Sequence, residues 1–167
     1  MRWQPETPEC AECGFDWTIP AAKAIGVVSE ARTRIESLLD AGRSWPAAAP
    51  GRWSSSEYVW HLVDVVRLGT ERLWTIRLDP GAGLVCWDEN ELARVRQYSL
   101  LSAAVGLTAL REATDWWISV VPTVTPSDLI RHDEHRSMTT EDVIRRTAHE
   151  VHHHAFDIER LSRRHGG

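Results

Sequence analysis

The sequence predicts an all-α protein built as a four-helix bundle. Apolar residues recur at helical spacing in four long segments, alternating strand patterns are nearly absent, and capping or helix-breaking residues separate the segments. The chain has 167 residues, which suffice for one domain. Its composition of 43% hydrophobic and 26% charged residues is typical of a globular protein. We expect an irregular N-terminal arm at 1–17 and the bundle domain at 18–167.

The first two helices have recognisable starts and stops. The first begins after Thr18, where a nearby proline favours a helical start, and it ends at Gly42. Ser54 and Glu57 have the spacing of a capping box and open the second helix. This helix continues to Leu78, after which the sequence DPG breaks it.

The second half of the chain contains the other two long helices. Residues 83–98 are predicted to form a loop that enters a short helix. Residues 100–121 carry apolar positions at helical spacing and end at a proline, so they predict the third long helix. Residues 122–138 are predicted as loop, and Thr139 with Asp142 forms a cap at the start of the last helix.

The last helix contains the most informative motif of the sequence, HEVHHH. His149 and His153 are four residues apart, so they lie about one turn along the helix and roughly 40° apart around it. Both can therefore bind one metal ion. His152 is the next choice as partner of His149, whereas His154 lies about 100° around from His153 and is expected to point elsewhere.

A third ligand is expected from a facing helix, because two histidines seldom complete a metal site. His61 stands in VWHLVD on the otherwise apolar second helix, and bundles build metal sites from inward side chains of facing helices. The predicted set is therefore His61, His149 and His153. A hydrogen-bonded core histidine is the alternative for His61, and a solvated polar face is the alternative for the histidine run.

The same residues also match H-E-x-x-H, in which two histidines bind zinc and the glutamate is the general base of a metalloprotease. We give this interpretation less weight for two reasons. The fourteen residues after His153 offer no good third ligand. An all-helical chain also has no strand to hold a peptide substrate in extended form.

The cysteines suggest a weaker second metal site. Cys10 and Cys13 form a C-x-x-C in the arm, and His132 and His135 form an H-x-x-H in the loop before the last helix. Together they have the composition of a Cys2His2 site that would anchor the arm, although two reduced cysteines and two loop histidines are the simpler interpretation. Cys86 is predicted to be an inert thiol.

Carboxylates near the histidines are candidates to accept imidazole N–H groups. Asp64 lies three residues after His61, and Glu150 and Asp157 lie near the histidines of the last helix. Exposed surface carboxylates are the alternative for all three. Four tryptophans either line a pocket or, for most of them, pack in the core: Trp60, Trp87, Trp116 and Trp117.

Charge and hydropathy exclude other classes. The net charge of -5 and pI near 5.9 leave no basic field for collecting phosphates, so nucleic acid is not an expected partner. No apolar run approaches the roughly 20 residues that cross a bilayer, and the first residues lack the pattern of a signal or transit peptide. We expect a cytoplasmic protein that does not bind membranes.

Two segments and the arm resemble a known family. WSSSEYVWHLVDVVRLGTERL (53–73) and TAHEVHHHAFDI (147–158), with CAECGFDW, are similar to the DinB/YfiT-like superfamily, particularly its branch in high-GC Gram-positive bacteria. The resemblance implies an up-down-down-up four-helix bundle that commonly forms homodimers. It also implies one divalent ion, zinc or nickel, held by three histidines that correspond to His61, His149 and His153.

The resemblance also implies a type of reaction. Characterised relatives transfer low-molecular-weight thiols such as bacillithiol or mycothiol, or are thiol-dependent isomerases. Three imidazoles leave an open position on the ion, where a thiol becomes a thiolate or water becomes a hydroxide. We expect a metal-dependent thiol transferase or isomerase that acts on a small molecule. A non-catalytic metal-binding bundle of the stress response and a metal-dependent hydrolase are the alternatives.

Overall fold

Four long α-helices form the body of the protein. The computed structural model describes residues 4–40, 43–79, 82–84, 86–125, 128–131 and 137–165. A short helix connects the second and third long helices. The helices are α1 (Ala21–Leu38), α2 (Ser55–Leu78), α3 (Glu89–Val95), α4 (Ala103–Val120) and α5 (Thr140–His165).

Helix α5 runs parallel to α1 and antiparallel to α2. The Ala21 N–H at the start of α1 donates to Glu141 at the start of α5, at 3.1 Å. Farther along both helices, Arg34 lies 3.7 Å from Glu159. Against α2 the order is reversed, because Gly69 near its end faces Thr147 near the start of α5.

Helix α4 runs parallel to α2 and antiparallel to α1. Gly106 faces the side chain of Val59 near the starts of α4 and α2, and the rings of Trp74 and Trp116 lie 5.8 Å apart near their ends. The antiparallel pairing with α1 is shown by a salt bridge of 3.0 Å between Arg111 and Glu36 and by the Arg32–Asp115 salt bridge closer to the start of α1. The arrangement is therefore up-down-down-up, and the predicted four-helix bundle is confirmed.

The predicted caps are present at two helix starts. The Ser54 side chain accepts from the Glu57 backbone N–H, and the Glu57 carboxylate accepts from the Ser54 backbone N–H at 2.8 Å. At the start of α5, the Thr139 hydroxyl and the Asp142 carboxylate accept from each other's backbone N–H groups. These reciprocal bonds satisfy donors that a helix start leaves free.

Helix α4 begins later than the sequence pattern predicts. Leu100, where the pattern places the start, ends a 3-10 turn over Tyr98–Leu100, and Ser102 is the N-cap. The Tyr98 hydroxyl donates to Asp64 of α2, which holds this turn against the bundle. Within the predicted loop 122–138, the strands β1 (Leu129–Arg131) and β2 (Ser137–Thr139) pair antiparallel, with Leu129 opposite Thr139.

Residues 9–16 form a small hairpin, which we call the N-terminal hairpin. An antiparallel bridge joins Glu9 to Asp16, and the Cys10 N–H donates to the Phe15 carbonyl at 2.9 Å. Gly14 closes the turn with φ of +71°, a conformation that glycine adopts without steric cost. Phe15 is 3% exposed and packs into the core. Within the described part of the chain, no helix is both long enough and apolar enough to span a bilayer.

Candidate metal centre

His61 lies on the buried face of α2. Its side chain is 4% exposed, and Leu62 and Val63 beside it belong to the core. The ring of Trp53, which precedes the helix, covers the imidazole at a centroid distance of 4.7 Å. His61 Nε2 is buried and has no hydrogen-bond partner among the described residues. Leaving such a nitrogen unpaired costs free energy, so a ligand at this position is favoured.

Two side chains of α5 face this nitrogen. Glu150 Oε2 lies 3.7 Å from His61 Nε2 and 3.5 Å from His154 Nε2. One ligand atom from each of the three residues lies within 4.8 Å of the other two. Glu150 and His154 are four residues apart, so the helix places both on the face toward α2.

The charges of this group are coupled. Burial alone raises the pKa of Glu150, but the facing imidazoles of His149, His154 and His61 hold it well below its usual range. Burial likewise acts to lower the pKa of His154, yet Asp157 and Glu150 raise it to about 9. Without metal, the imidazole of His154 is therefore protonated at neutral pH between two carboxylates. A cation bound at this nitrogen would take the place of the proton.

Asp157 orients His154 from the opposite side. Its Oδ2 lies 3.0 Å from His154 Nδ1. With the proton on Nδ1, the lone pair of His154 Nε2 faces Glu150 and is available to a metal. Carboxylates commonly fix the tautomer of a metal-ligating histidine in this way.

The three histidines of the predicted metal set are not brought together into one group of ligand atoms within the described residues. His61 lies with Glu150 and His154, whereas His149 and His153 turn toward the N-terminal hairpin. The physical reason is the rotation of α5. The pair 150 and 154 has the same four-residue spacing as 149 and 153 but lies about 100° farther around the helix. Spacing alone does not distinguish the two pairs.

The second predicted group is also rearranged. Cys10 and Cys13 lie with His149 and His153, and one ligand atom of each residue is within 4.8 Å of the other three. His132 and His135, the other half of the predicted Cys2His2 site, lie outside the described residues. A further group, His153, His154 and Asp157, shares its histidines with the first two. Cys86 is exposed and belongs to none of these groups.

Comparison with known proteins identifies the family. The sequence model of the DinB superfamily matches residues 2–158, which is nearly the whole chain. The chain belongs to the DinB superfamily. The matched range contains α2, the part of α5 that carries the candidate ligands, and the N-terminal hairpin. A comparison with curated proteins gives no match.

The fold of this DinB-superfamily chain matches a solved structure. YfiT from Bacillus subtilis is 19% identical, and the TM-score is 0.79 over 99% of this chain and 94% of that chain. YfiT is described as a probable metal-dependent hydrolase with an unusual four-helix bundle topology. The likeness to YfiT concerns the fold, because the identity is low.

The residues of the first group fit a divalent ion. Two histidines and one glutamate are a known set for catalytic zinc, in which a fourth position stays open. Two observations agree with such a site: an unpaired buried ring nitrogen on His61, and a carboxylate that orients His154. This DinB-superfamily chain thus carries a candidate centre of two imidazoles and one carboxylate.

A cavity of about 640 Å³ opens beside this centre. Its wall contains His154 and Asp157, so the cavity reaches the candidate ligands. Trp53 and Tyr58 form an aromatic part of the wall, and the Tyr58 ring lies 5.0 Å from that of His154. Charged side chains line the rest: Glu12, Arg52, Glu89, Arg160 and Arg164.

Other predicted contacts have different partners. Asp64 does not support His61, because it accepts hydrogen bonds from Tyr98 and Arg96. Among the tryptophans, Trp117 is fully buried in the core, whereas Trp116 is exposed. Trp53 and Tyr58 line the cavity but were not predicted as site residues. Their closeness to His61 in the sequence was the signal that could have identified them.

Proposed function

We propose that this chain is a metal-dependent enzyme that transfers a low-molecular-weight thiol to a small electrophilic molecule. The divalent ion is held by His61, Glu150 and His154. The proposal is supported by the convergence of these three side chains beside a polar cavity, whose wall contains His154. It replaces the three-histidine set expected from the sequence with two histidines and a glutamate.

When bound, the ion lowers the pKa of a thiol at its open coordination position, so that the thiolate is abundant at neutral pH. The protein positions the ligands. Asp157 holds the proton on His154 Nδ1, and Glu150 provides the negative charge of the set. Trp53 covers the imidazole of His61 and limits access of water.

The transfer reaction balances without a redox partner. The thiol loses its proton, its sulfur forms a bond to the electrophilic carbon, and a leaving group such as chloride departs with the bonding electrons. With an epoxide, the ring oxygen leaves and takes up a proton. Holding both reactants in one cavity removes much of the entropic cost of their encounter.

The cavity wall favours a polar cosubstrate. Arg52, Arg160 and Arg164 offer guanidinium groups to carboxylate or hydroxyl oxygens. Glu12 and Asp157 add acceptors for hydroxyl and amide donors. A thiol with a sugar or peptide portion, such as mycothiol, has groups of this kind. An entirely apolar substrate would leave these charges unpaired.

Hydrolysis is the second candidate function. YfiT, which shares the fold, is described as a probable metal-dependent hydrolase. The same three ligands serve either reaction, because the open position takes water as readily as a thiol. The two functions differ in their dependence on added thiol.

A turnover assay distinguishes the two functions. The zinc-loaded protein is incubated with a chlorinated aromatic or an epoxide, with and without mycothiol, and separately with an ester and no thiol. Thiol-dependent consumption of the electrophile above the uncatalysed rate is the expected result. Ester cleavage without thiol would instead establish hydrolysis. Absence of turnover in every arm would favour a non-catalytic metal-binding protein.

Variants test the ligand set. His154→Ala is expected to lower metal affinity and thiol-dependent turnover by more than about 100-fold, because even changes around metal ligands cost roughly 10- to 100-fold. His152→Ala is the matched control on the same helix, since His152 belongs to none of the ligand groups among the described residues. Equal losses in both variants, measured by elemental analysis and turnover, would contradict the assignment.

A further inference from the structure

The turn of the N-terminal hairpin presents two thiols to α5. Cys10 and Cys13 are separated by two residues, and both side chains are half-buried against the helix. The Gly14 N–H donates to the Cys10 carbonyl at 2.8 Å, which closes the turn and brings the two cysteines to the same side. Neither thiol is part of a disulfide bond.

Two histidines of α5 face these thiols. His153 Nδ1 lies 3.7 Å from Cys10 Sγ. Neither ring nitrogen of His149 has a hydrogen-bond partner among the described residues, although both are buried. The rings of His149 and His153 lie 5.2 Å apart. The hairpin and the helix thus place two sulfurs and two imidazoles around one point.

The dimensions of this cluster match those of a tetrahedral zinc site. Zinc–sulfur bonds of about 2.3 Å and zinc–nitrogen bonds of about 2.0–2.1 Å imply sulfur–nitrogen edges of roughly 3.6 Å. The Cys10–His153 separation of 3.7 Å agrees with that edge. The other ligand atoms lie within 4.8 Å of one another, so small side-chain rotations complete the tetrahedron.

We propose that Cys10, Cys13, His149 and His153 form a structural zinc site that fastens the N-terminal hairpin to α5. The spacings C-x2-C and H-x3-H are those of structural Cys2His2 sites. Four protein ligands leave no open position, which distinguishes this site from the three-ligand centre. The two centres have no ligand in common.

Carboxylates on the far sides of the imidazoles support the assignment. His153 Nε2 lies 3.6 Å from Asp157 Oδ2, opposite the nitrogen that faces Cys10. His149 Nδ1 lies 3.6 Å from Glu150 Oε1, which leaves Nε2 for the metal. Zinc-ligating histidines commonly place their second ring nitrogen against a carboxylate in this way.

The pKa values of the two thiols differ in a way that a bound cation would relieve. Burial acts to raise the pKa of Cys10, but the Cys13 backbone and the nearby imidazoles of His149 and His153 lower it to about 6. Burial and the neighbouring Cys10 thiolate together raise the pKa of Cys13 to about 12. Two adjacent thiolates repel each other, so the second thiol keeps its proton. A zinc ion removes this conflict by binding both sulfurs as thiolates.

The site has a consequence for the cavity. Glu12 lies between the two cysteines in sequence, and it lines the cavity of the first centre. Its carboxylate is 3.8 Å from His153 Nε2. Zinc at the cysteine site therefore fixes one wall of the cavity.

Cobalt spectroscopy tests the proposal on the reduced full-length protein after metal removal by a chelator. Titration with Co²⁺ is expected to produce a thiolate-to-cobalt charge-transfer absorption that saturates at about one ion per chain. Cys13→Ser removes most of this absorption, whereas Cys86→Ser, at an exposed cysteine outside the cluster, leaves it unchanged. Absence of the absorption in the wild-type protein would overturn the proposal.

A histidine variant distinguishes a four-ligand site from cobalt binding by the two cysteines alone. His149→Ala is expected to weaken Co²⁺ binding at the absorbing site by more than about 100-fold, since it removes a ligand. Affinity within twofold of the wild-type value would show that the cysteines bind cobalt alone and would refute the four-ligand site. The turnover assay does not bear on either result.

Hydrogen exchange gives a second readout that needs no variant. Zinc removal from the wild-type protein is expected to lower the protection of peptides from residues 9–16, while peptides from the core of α4 keep theirs. Unchanged protection of the hairpin after zinc loss would contradict a fastening role. It would do so even if the cobalt spectra showed thiolate ligation.

Discussion

Glu150 is the residue on which the candidate centre depends most. Its Oε2 faces His61 and His154 at 3.7 and 3.5 Å, and its Oε1 lies 3.6 Å from His149. One carboxylate therefore contacts imidazoles of both proposed centres. A partly buried carboxylate faced by three imidazoles offers oxygen and nitrogen atoms suited to a divalent cation.

Replacement of this charge gives a prediction. Glu150→Gln keeps the shape of the side chain but removes the anionic ligand, so zinc affinity at the three-ligand centre is expected to fall by roughly 100-fold or more. Competition with a chromophoric chelator measures the change. Glu159→Gln is the control on the same helix, at a residue that instead pairs with Arg34 and Arg163. Equal affinity in the two variants would contradict the role of Glu150.

Sequence reasoning at the residue scale selected the two helices that carry the proposed ligands, but it selected a different face of α5. It selected His61, and it selected α5 as the helix that carries the other ligands. The choice between 149 and 153 on one side and 150 and 154 on the other depends on which face of α5 meets α2. That face is set by distant contacts, since the N-terminal hairpin occupies the side of His149 and His153.

At the scale of the helices, α2 and α5 pack most closely at Gly69. A β-carbon added there would lie 2.5 Å from Thr147 Oγ1 and 3.3 Å from Thr147 Cβ. Rotation of the threonine does not relieve the contact with its own β-carbon. The Thr147 hydroxyl also donates to the Val143 carbonyl at 3.0 Å, which holds the side chain in place. Glycine at this position therefore lets α5 approach α2 closely.

A pair of glycine variants tests this close approach. Gly69→Ala gains about 1 kcal/mol of helix propensity but introduces a clash of the kind that costs typically 1–3 kcal/mol, so a net loss of stability is expected. Gly26→Ala is the control, because a β-carbon there has no neighbour within 4 Å and the propensity gain remains. Urea unfolding measures both. A stabilised Gly69→Ala protein would show that the helices separate readily.

The start of a helix was predictable from the sequence where the capping hydrogen bonds join residues that are close in the chain. Ser54 with Glu57, and Thr139 with Asp142, bond to backbone groups three residues away, so the sequence contains the whole interaction. The start of α4 was predicted too early. Leu100 belongs instead to a turn with Tyr98, whose hydroxyl bonds to Asp64, and a contact across 34 residues is not visible in a local pattern.

At the scale of the whole molecule, the order of the helices around the bundle leaves one face of α4 uncovered. Trp116 is 65% exposed and Val105 is 60% exposed. These residues are eleven positions apart, or about three turns, so they lie on the same side of the helix. The hydrophobic pattern of the sequence predicted the helices, but the family resemblance supplied their order, because periodicity does not determine which helices are neighbours.

We propose that two copies of the chain pair through this face of α4. An exposed tryptophan three turns from an exposed valine is more apolar surface than a solvated helix needs, and a two-fold axis lets the same patch cover itself. Light scattering at micromolar concentration is expected to give the mass of a dimer, and Trp116→Ser is expected to shift it toward the monomer. Trp87→Ser, which removes an exposed tryptophan outside α4, should leave the dimer intact. A monomeric wild-type protein, or dissociation by both variants alike, would exclude this interface while leaving the metal centres unaffected.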